Sequence, residues 1–204
     1  SSISGKGKFV GYQTKDPRLA FSIQSNEFKI EKSHQNFPLM LFPENLHKKI
    51  NKFFYNGTLE IKSLRFEGSL EQLKKINSDE NKDRITTEIY FRDVDWRSPL
   101  PLLKKVTGSF DYKNGDGIVE IMKARYKGFP LNNIKGTVTN IIKKSLLDFS
   151  MKSEVDLGEL NRILKKTIRG QSFEKIIDDY QEVKGIGLIE AKLQGPLNDK
   201  EKIS

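Results

Sequence analysis

A pattern of apolar and polar positions occurs three times along the chain, at 57–68, 117–128 and 184–195. In each copy two apolar pairs alternate with period two, and two residues rather than one separate the pairs. Period-two alternation is typical of a half-buried strand, and an extra residue between the pairs indicates a bulge or sharp bend. A glycine closes every copy. We therefore predict a strand, a bend, a strand and a turn for each copy.

The apolar positions of the three copies coincide when the copies are aligned without gaps, and a basic residue also coincides, at Arg65, Arg125 and Lys192. In chain order the apolar positions are Leu59, Ile61, Leu64, Phe66, Val119, Ile121, Ala124, Tyr126, Ile186, Leu188, Ala191 and Leu193.

The segments between the copies also read as strands. Residues 8–30 contain two or three strands, and strands are predicted at 84–96, 105–112, 133–139 and 145–151 from their alternation and their β-branched and aromatic residues. Asn114-Gly115 lies between two alternating segments, which is a strong signal for a hairpin turn. The fold class predicted is therefore mainly β, in a single domain over 1–204.

Three segments read as helices. Pro43 opens a helix that we expect to run to about Tyr55, because proline is tolerated in a first turn and apolar residues follow on one face. Leu70, Leu73 and Ile76 suggest one or two helical turns. From Asp156 the period becomes helical, with Asp156 and Glu159 as a capping pair, so amphipathic helix is predicted over 157–183.

The chain carries a formal net charge of +9, from 36 lysines and arginines and 27 aspartates and glutamates. The lysines are scattered as doublets with acidic residues between them, which favours a solvated outer face over a nucleic-acid surface. We expect no nucleic-acid partner, although a basic nucleic-acid-binding protein is the alternative that the charge alone suggests. No apolar run is long enough to span a bilayer, and we expect an excised fragment of a longer protein.

Nothing in the sequence argues for an enzyme, a metal site or a cofactor. There is no cysteine, and the two histidines, His34 and His47, belong to no catalytic or metal-binding motif. Asp93 and Asp95 have strand spacing, which places both carboxylates on one face, where a pair could serve acid–base chemistry. Neighbouring Arg92 and Arg97 offer simpler partners for them.

The twelve apolar repeat positions are the informative feature, and two interpretations stay open. Burying a large side chain contributes about 1.5–3 kcal/mol, so this face will not be left bare in water. Its cover is either protein, from the helices at 43–55 and 157–183 or another sheet, or a lipid. Composition alone favours a closed protein core over a ligand.

Two passages resemble the AsmA-like family of bacterial envelope proteins, the AsmA, TamB and YhdP group. The first is Phe42-Pro-Glu-Asn-Leu followed by a helix and Tyr-Asn-Gly57-Thr-Leu-Glu-Ile. The second runs from Val106-Thr-Gly-Ser-Phe-Asp-Tyr through Gly117-Ile-Val-Glu-Ile-Met-Lys-Ala-Arg-Tyr-Lys-Gly-Phe-Pro-Leu to Ile134-Lys-Gly-Thr-Val. The resemblance covers about three quarters of the chain, on glycine and aliphatic positions.

The resemblance implies an elongated, strongly twisted antiparallel sheet curved into a groove, similar to the repeating-β-groove lipid carriers. It further implies a periplasmic protein attached to the bacterial inner membrane by an amino-terminal helix that this sequence lacks. Such proteins are implicated in phospholipid transport and outer-membrane homeostasis. Phospholipid is then the expected partner, and the twelve repeat positions become candidates for the lipid groove. A closed structural or interaction domain of an envelope assembly protein is the alternative.

Overall fold

A computed structural model describes residues 2–11, 13, 17–30, 54–76, 78–96, 103–126, 128–141, 145–167 and 184–196. In this part of the chain, one open antiparallel sheet holds all the strands. The mainly β, antiparallel, groove-like fold expected from the sequence is confirmed.

The strands from β5 to β11 are long and nearly equal in length. The strands are β1 (Ile3–Val10), β2 (Arg18–Ser25), β3 (Phe28–Lys29), β4 (Phe54–Tyr55), β5 (Thr58–Ser69), β6 (Ile85–Trp96), β7 (Leu103–Lys113), β8 (Asp116–Tyr126), β9 (Phe129–Thr139), β10 (Leu146–Asp156) and β11 (Ile186–Pro196). Among the described residues the helices are α1 (Leu70–Lys74) and α2 (Leu157–Thr167), and a 3-10 turn spans Asp79–Asn81. The strand order in the sheet is β1-β2-β5-β6-β7-β8-β9-β10-β11, and the short strands β3 and β4 pair with β5 and β6, so β1 and β11 form the two edges.

The predicted hairpin joins β7 to β8. Lys113 and Asp116 pair across the turn, and both central residues, Asn114 and Gly115, have positive φ, at 55° and 90°. Two consecutive left-handed residues define a type I′ turn, whose twist matches that of the flanking strands. Asparagine and glycine adopt this conformation at little cost, which explains why this dipeptide marks the hairpin in the sequence.

Both helices begin with side-chain caps, of which the one at Asp156 was predicted from the sequence. The Ser69 hydroxyl accepts a hydrogen bond from the backbone N–H of Gln72 at 3.2 Å, and the Gln72 side-chain oxygen accepts one from the backbone N–H of Ser69 at 2.8 Å. These two bonds complete a capping box for α1. Asp156 accepts a hydrogen bond from the Glu159 amide at 2.7 Å at the start of α2. The short helix after the first repeat copy is thereby confirmed, as is the helix start at 157.

The helix predicted over 43–55 is wrong at its carboxyl end. Phe54 and Tyr55 form strand β4, which pairs with Trp96 and Asp95 of β6. Two aromatic residues suit a strand, and a neighbouring strand that offers hydrogen bonds outweighs a weak helical pattern. The rest of that prediction lies outside the described residues, as do 168–183 of the second helix and both histidines.

The two faces of the sheet differ in chemistry. On one, which we call the apolar face, the side chains of successive strands are hydrophobic, as in the cross-strand pairs Phe21–Phe66 and Ile121–Ile134. On the other, the charged face, pairs such as Glu120–Lys135 lie toward solvent. Alternation along each strand produces this separation, because successive side chains point to opposite sides.

Strands β9 and β10 separate part-way along their length. Their pairing runs from Thr139–Leu146 to Ile134–Met151 and then stops, although both strands continue. Beyond that point the Ser153 hydroxyl, 1% exposed, accepts a hydrogen bond from the Asn132 amide at 3.3 Å. The sheet is therefore continuous but has a partial split between β9 and β10.

Candidate functional site

The structure divides the twelve repeat positions into three groups. The first and second copies are largely buried, whereas the third is largely exposed. The side chains that are only 2–4% exposed are Ile61, Leu64, Phe66, Val119, Ile121 and Ala124. The half-buried side chains are Leu59, Tyr126 and Leu193, and the exposed ones are Ile186, Leu188 and Ala191.

The bulge predicted in the first copy is present. The pairing of β5 with β6 shifts by one residue between Ile61 and Ser63, so Lys62 is the extra residue. The shift lets Ile61 and Leu64 point to the same side although two residues separate them, and both are 4% exposed. What reads as two strands with a bend is one long bulged strand.

The second copy, in β8, has two register shifts that compensate each other. The register with β7 shifts between Gly108 and Thr107 and again between Thr107 and Lys104, so an extra residue on β8 is offset by one on β7. Against β9 the register is unbroken. Ile121 and Ala124 consequently share the apolar face.

The same two-residue spacing occurs in three strands where sequence reasoning missed it. On β6 it separates Phe91 from Val94, on β7 Leu103 from Val106, and on β9 Leu131 from Ile134. Register shifts therefore run across the sheet from β5 to β8, and β9 carries the same spacing opposite β8 in an unbroken register; we call these five strands the bulged region. The spacing is visible in the sequence of these three strands. It was missed because neighbouring strands run antiparallel and because none of the three ends in the glycine that closes each repeat copy.

Left-handed backbone conformations mark the bulged region. Asp93, Lys105 and Asn133 have φ of 51°, 50° and 54° within strands β6, β7 and β9. Asparagine and aspartate tolerate this conformation well, whereas lysine pays about 1–2 kcal/mol for it. The strain at Lys105 indicates that the surrounding pairing imposes the bulge.

The bulge predicted in the third copy is absent. The pairing of β10 with β11 is unbroken from Asp156–Ile186 to Leu146–Pro196. Because a strand alternates strictly without a bulge, Ile186 and Leu188 point to the charged face, 76% and 55% exposed. The apolar face of β11 instead carries Gly187, Ile189, Ala191, Leu193 and Gly195, of which Ile189 was not predicted.

Two hydrophobic clusters lie on the apolar face. The larger is centred on Val94 and Val106, both 0% exposed, and includes Phe91, Ile121 and Phe149. The smaller one gathers Ile23, Phe28, Ile61 and Leu64, and Leu59 packs against both clusters. Stacked rings of Phe21 and Phe66, with centroids 5.5 Å apart, cover the first strands. The central part of the apolar face is therefore buried within this single chain.

Helix α2 begins over the apolar face at the far edge of the sheet. A Cβ added to Gly187 would lie 2.6 Å from Cδ2 of Leu157, so the leucine side chain occupies the space that this glycine leaves. The helix also contacts β9 and β10. A helix over 157–167 thus covers part of the face near the split between β9 and β10.

Asp93 and Asp95 each have a structural partner. The Asp93 carboxylate lies 3.9 Å from Nζ of Lys123, and Asp95 accepts hydrogen bonds from Nδ2 of Asn56 at 3.0 Å and from the Lys105 amide at 3.3 Å. Arg92 pairs with Glu27 at 2.9 Å rather than with either aspartate, so that expected partner was wrong, and Arg97, the other expected partner, lies outside the described residues.

An acidic row lies on the charged face where β6, β7 and β8 meet. Asp111 pairs directly with Glu88 across the sheet, and Glu120 belongs to the next strand. Partial burial, followed by the charges of Glu88 and Glu120, raises the pKa of Asp111 above its ordinary value. These like charges weaken the sheet locally.

Within the described residues, no group of three or more histidine, aspartate or glutamate side chains could hold a metal ion. No helix in this part of the chain is long and apolar enough to cross a bilayer. Comparisons with protein families, with curated proteins and with solved structures find no match to this chain.

Proposed function

We propose that this chain is a segment of an AsmA-like envelope protein in which a curved sheet shields phospholipid acyl chains from water. The observation that carries the proposal is the apolar face, which continues across neighbouring strands from β2 to β11 while charges occupy the opposite face. The periplasmic location and the attachment to the inner membrane that the resemblance implies belong to the same proposal.

Passive transfer of this kind requires an apolar path and no catalytic group. Apolar surface removed from water contributes about 25 cal/mol per Å² whether a side chain or an acyl chain covers it. On the apolar face, the side chains that remain accessible lie toward the two edges, at Ile3 and Phe9 on β1, 41% and 49% exposed, and at Ala191 on β11. Acyl chains would contact the face there.

A second candidate function is a closed structural or interaction domain of an envelope assembly protein. The burial of Ile61, Ile121 and Val119 at 4%, 2% and 4% favours it, because the chain already covers these side chains without a ligand. Leu157 packed over Gly187 points the same way. In this alternative the sheet serves as a rigid element and binds no lipid.

Site-specific photo-crosslinking distinguishes the two candidates. A benzophenone amino acid is placed at Phe9 or Leu193 on the apolar face, and at Ile118 or Met122 on the charged face as controls of similar or greater exposure. The purified protein is incubated with vesicles of phosphatidylethanolamine and phosphatidylglycerol and irradiated. Mass spectrometry then measures phospholipid adducts.

The groove proposal predicts adducts at Phe9 and Leu193 and few at Ile118 and Met122. Equal adduct yields at all four positions would indicate general surface adhesion. No adduct at either apolar-face position would contradict the groove and favour the closed domain.

A further inference from the structure

A basic trough lies on the charged face at the β1 edge of the sheet. Two rows of paired residues cross it: the first is Lys6, Ser22, Arg65 and Thr86, and the second is Lys8, Ala20 and Glu67, with Arg84 beside Glu67. The small side chains of β2 form the floor, and the long basic side chains of β1 and β5 rise on either side. The depression has a volume of about 520 Å³.

The trough has a net positive charge. Its charged lining comprises Lys6, Lys8, Arg65 and Arg84 against two carboxylates, Glu67 and Asp83. Asp83 lies 3.7 Å from Arg84, but none of Lys6, Lys8 and Arg65 forms an ion pair with another described residue. Lys6 and Arg65 stand two strand spacings apart, about 10 Å, which leaves room for a phosphate group between them.

The same edge also exposes apolar side chains. Every residue of β1 is exposed, including Ile3 and Phe9 on the apolar face and Val10 on the charged face, at 41%, 49% and 50%. Phe21 and Phe66 also line the depression, but strand alternation turns their stacked rings to the apolar face, opposite Lys6 and Arg65. The basic side of the trough therefore presents no aromatic ring to nucleic-acid bases. Exposed cations that pair with no other described residue, beside exposed apolar side chains, match a lipid–water interface.

We propose that the β1 edge docks on the surface of an anionic phospholipid bilayer, with Lys6, Lys8 and Arg65 binding headgroup phosphates and Phe9 entering the interface. This inference does not depend on the groove proposal, because surface docking requires no acyl chain on the apolar face. It gives the β1 edge a contact with the bilayer surface that is separate from acyl-chain contact along the rest of the apolar face.

The test is co-sedimentation of the protein with vesicles of pure phosphatidylcholine or of phosphatidylcholine with 30% phosphatidylglycerol. We expect binding to the anionic vesicles that weakens as salt rises. Lys6→Gln with Lys8→Gln should reduce binding about 30-fold, since each basic residue near an anionic surface contributes roughly a five-fold factor. Phe9→Ser should reduce it by about tenfold through lost apolar contact.

The matched control is Lys104→Gln with Lys113→Gln on β7. Both lysines are exposed, neither forms an ion pair with another described residue, and the charge change is identical. The control should bind anionic vesicles within about threefold of the unmodified protein. An equal loss in both double variants would show that net charge alone drives binding and would overturn the proposal.

Three other outcomes also overturn it. The first is no binding to anionic vesicles at low salt. The second is binding of inorganic phosphate, detected as NMR shifts at Lys6, Lys8 and Arg65, without vesicle binding, which would indicate a site for a free anion. The third is duplex DNA binding that matches vesicle binding in strength and in its response to the variants. Photo-adducts at Leu193 with no vesicle docking would leave the groove proposal standing alone, whereas adducts at Phe9 without any at Leu193 would support docking alone.

Discussion

Strands β8 and β11 carry the same spacing of apolar residues and accommodate it in opposite ways. Ile121 and Leu188 occupy the same position in the repeat, yet the first is 2% exposed and the second 55%. In β8 irregular pairing with β7 brings both apolar pairs to one face. In β11 an unbroken register with β10 turns one pair outward.

The difference lies in the neighbouring strands. Strands β7 and β9 carry the same two-residue step as β8, so the bulge has compensating partners on both sides. Strand β10 alternates regularly through Leu147, Phe149, Met151, Ser153 and Val155, and it imposes the same regular alternation on β11. The position of an apolar residue in a repeat therefore predicts its face only when the neighbouring strand has the same irregularity.

The largest expected difference comes from a charge at the shared position. Ile121→Asp places a carboxylate in the cluster around Val94 and should lower the unfolding free energy by at least about 4 kcal/mol. The substitution removes the apolar contacts of Ile121, and burial removes the hydration of the new carboxylate. Leu188→Asp should cost less than about 1 kcal/mol, mainly through repulsion from the paired Glu154. Urea denaturation measures both. Similar losses in the two variants would contradict the assigned faces.

A second prediction concerns Gly108 of β7, which pairs with Ile121 beside the extra residue on β8. A Cβ there would overlap the backbone oxygen of Glu120, and a backbone atom of a central strand has little room to move. Gly108→Ala should cost about 3 kcal/mol in urea denaturation. Gly128→Ala is the control, because no atom lies within 4 Å and only its φ of 90° causes strain, for about 1 kcal/mol. Equal losses of stability in the two variants would show that the close approach of Gly108 to the Glu120 backbone is unimportant.

A third prediction tests the strain of the bulged region at Lys105. With φ at 50°, Lys105→Gly should raise the unfolding free energy by about 0.5–1 kcal/mol, because glycine adopts this conformation without a Cβ penalty. The neighbouring Lys104→Gly should lower it by about the same amount, since Lys104 lies in the same strand and has no positive φ. Thermal denaturation gives the sign of the stability change in each variant, and a loss of stability in both variants would argue against a left-handed conformation at Lys105.

The smallest effect concerns the acidic row. Because the pKa of Asp111 is raised in the folded state, the folded protein binds more protons than the unfolded one just above the ordinary aspartate pKa, so stability falls as pH rises through that window. Asp111→Asn should remove this fall and stabilise the protein by about 0.5 kcal/mol at neutral pH. Asp148→Asn, on regular strand β10, keeps an acceptor for Gln194 but removes the carboxylate that lies 4.0 Å from Nζ of Lys192, so it should bring no gain. The unfolding free energies of both variants and of the unmodified protein are measured from pH 3 to 7, and an equal gain in the two variants would contradict the prediction.

Much of the fold could be predicted from the sequence because period-two alternation, the Asn114-Gly115 turn and the cap at Asp156 are local signals. The bulge in β5 was predicted for the same reason. The outward position of Ile186 and Leu188 was not, because residues 186–193 allow either register and only pairing with β10 decides between them. The basic trough was also missed, since Lys6, Lys8 and Arg65 are distant in sequence and meet only through β2.

Thiol labelling of single-cysteine variants tests the central claim most directly, because the natural chain contains no cysteine. Cysteine replaces Ile121, Leu193 or Leu188 in turn, and the labelling rate of the folded protein is compared with that of the unfolded chain. We predict labelling at 121 only as fast as global unfolding, an intermediate rate at 193, and a rate close to that of the unfolded chain at 188. Equal rates at 121 and 188 would contradict the account.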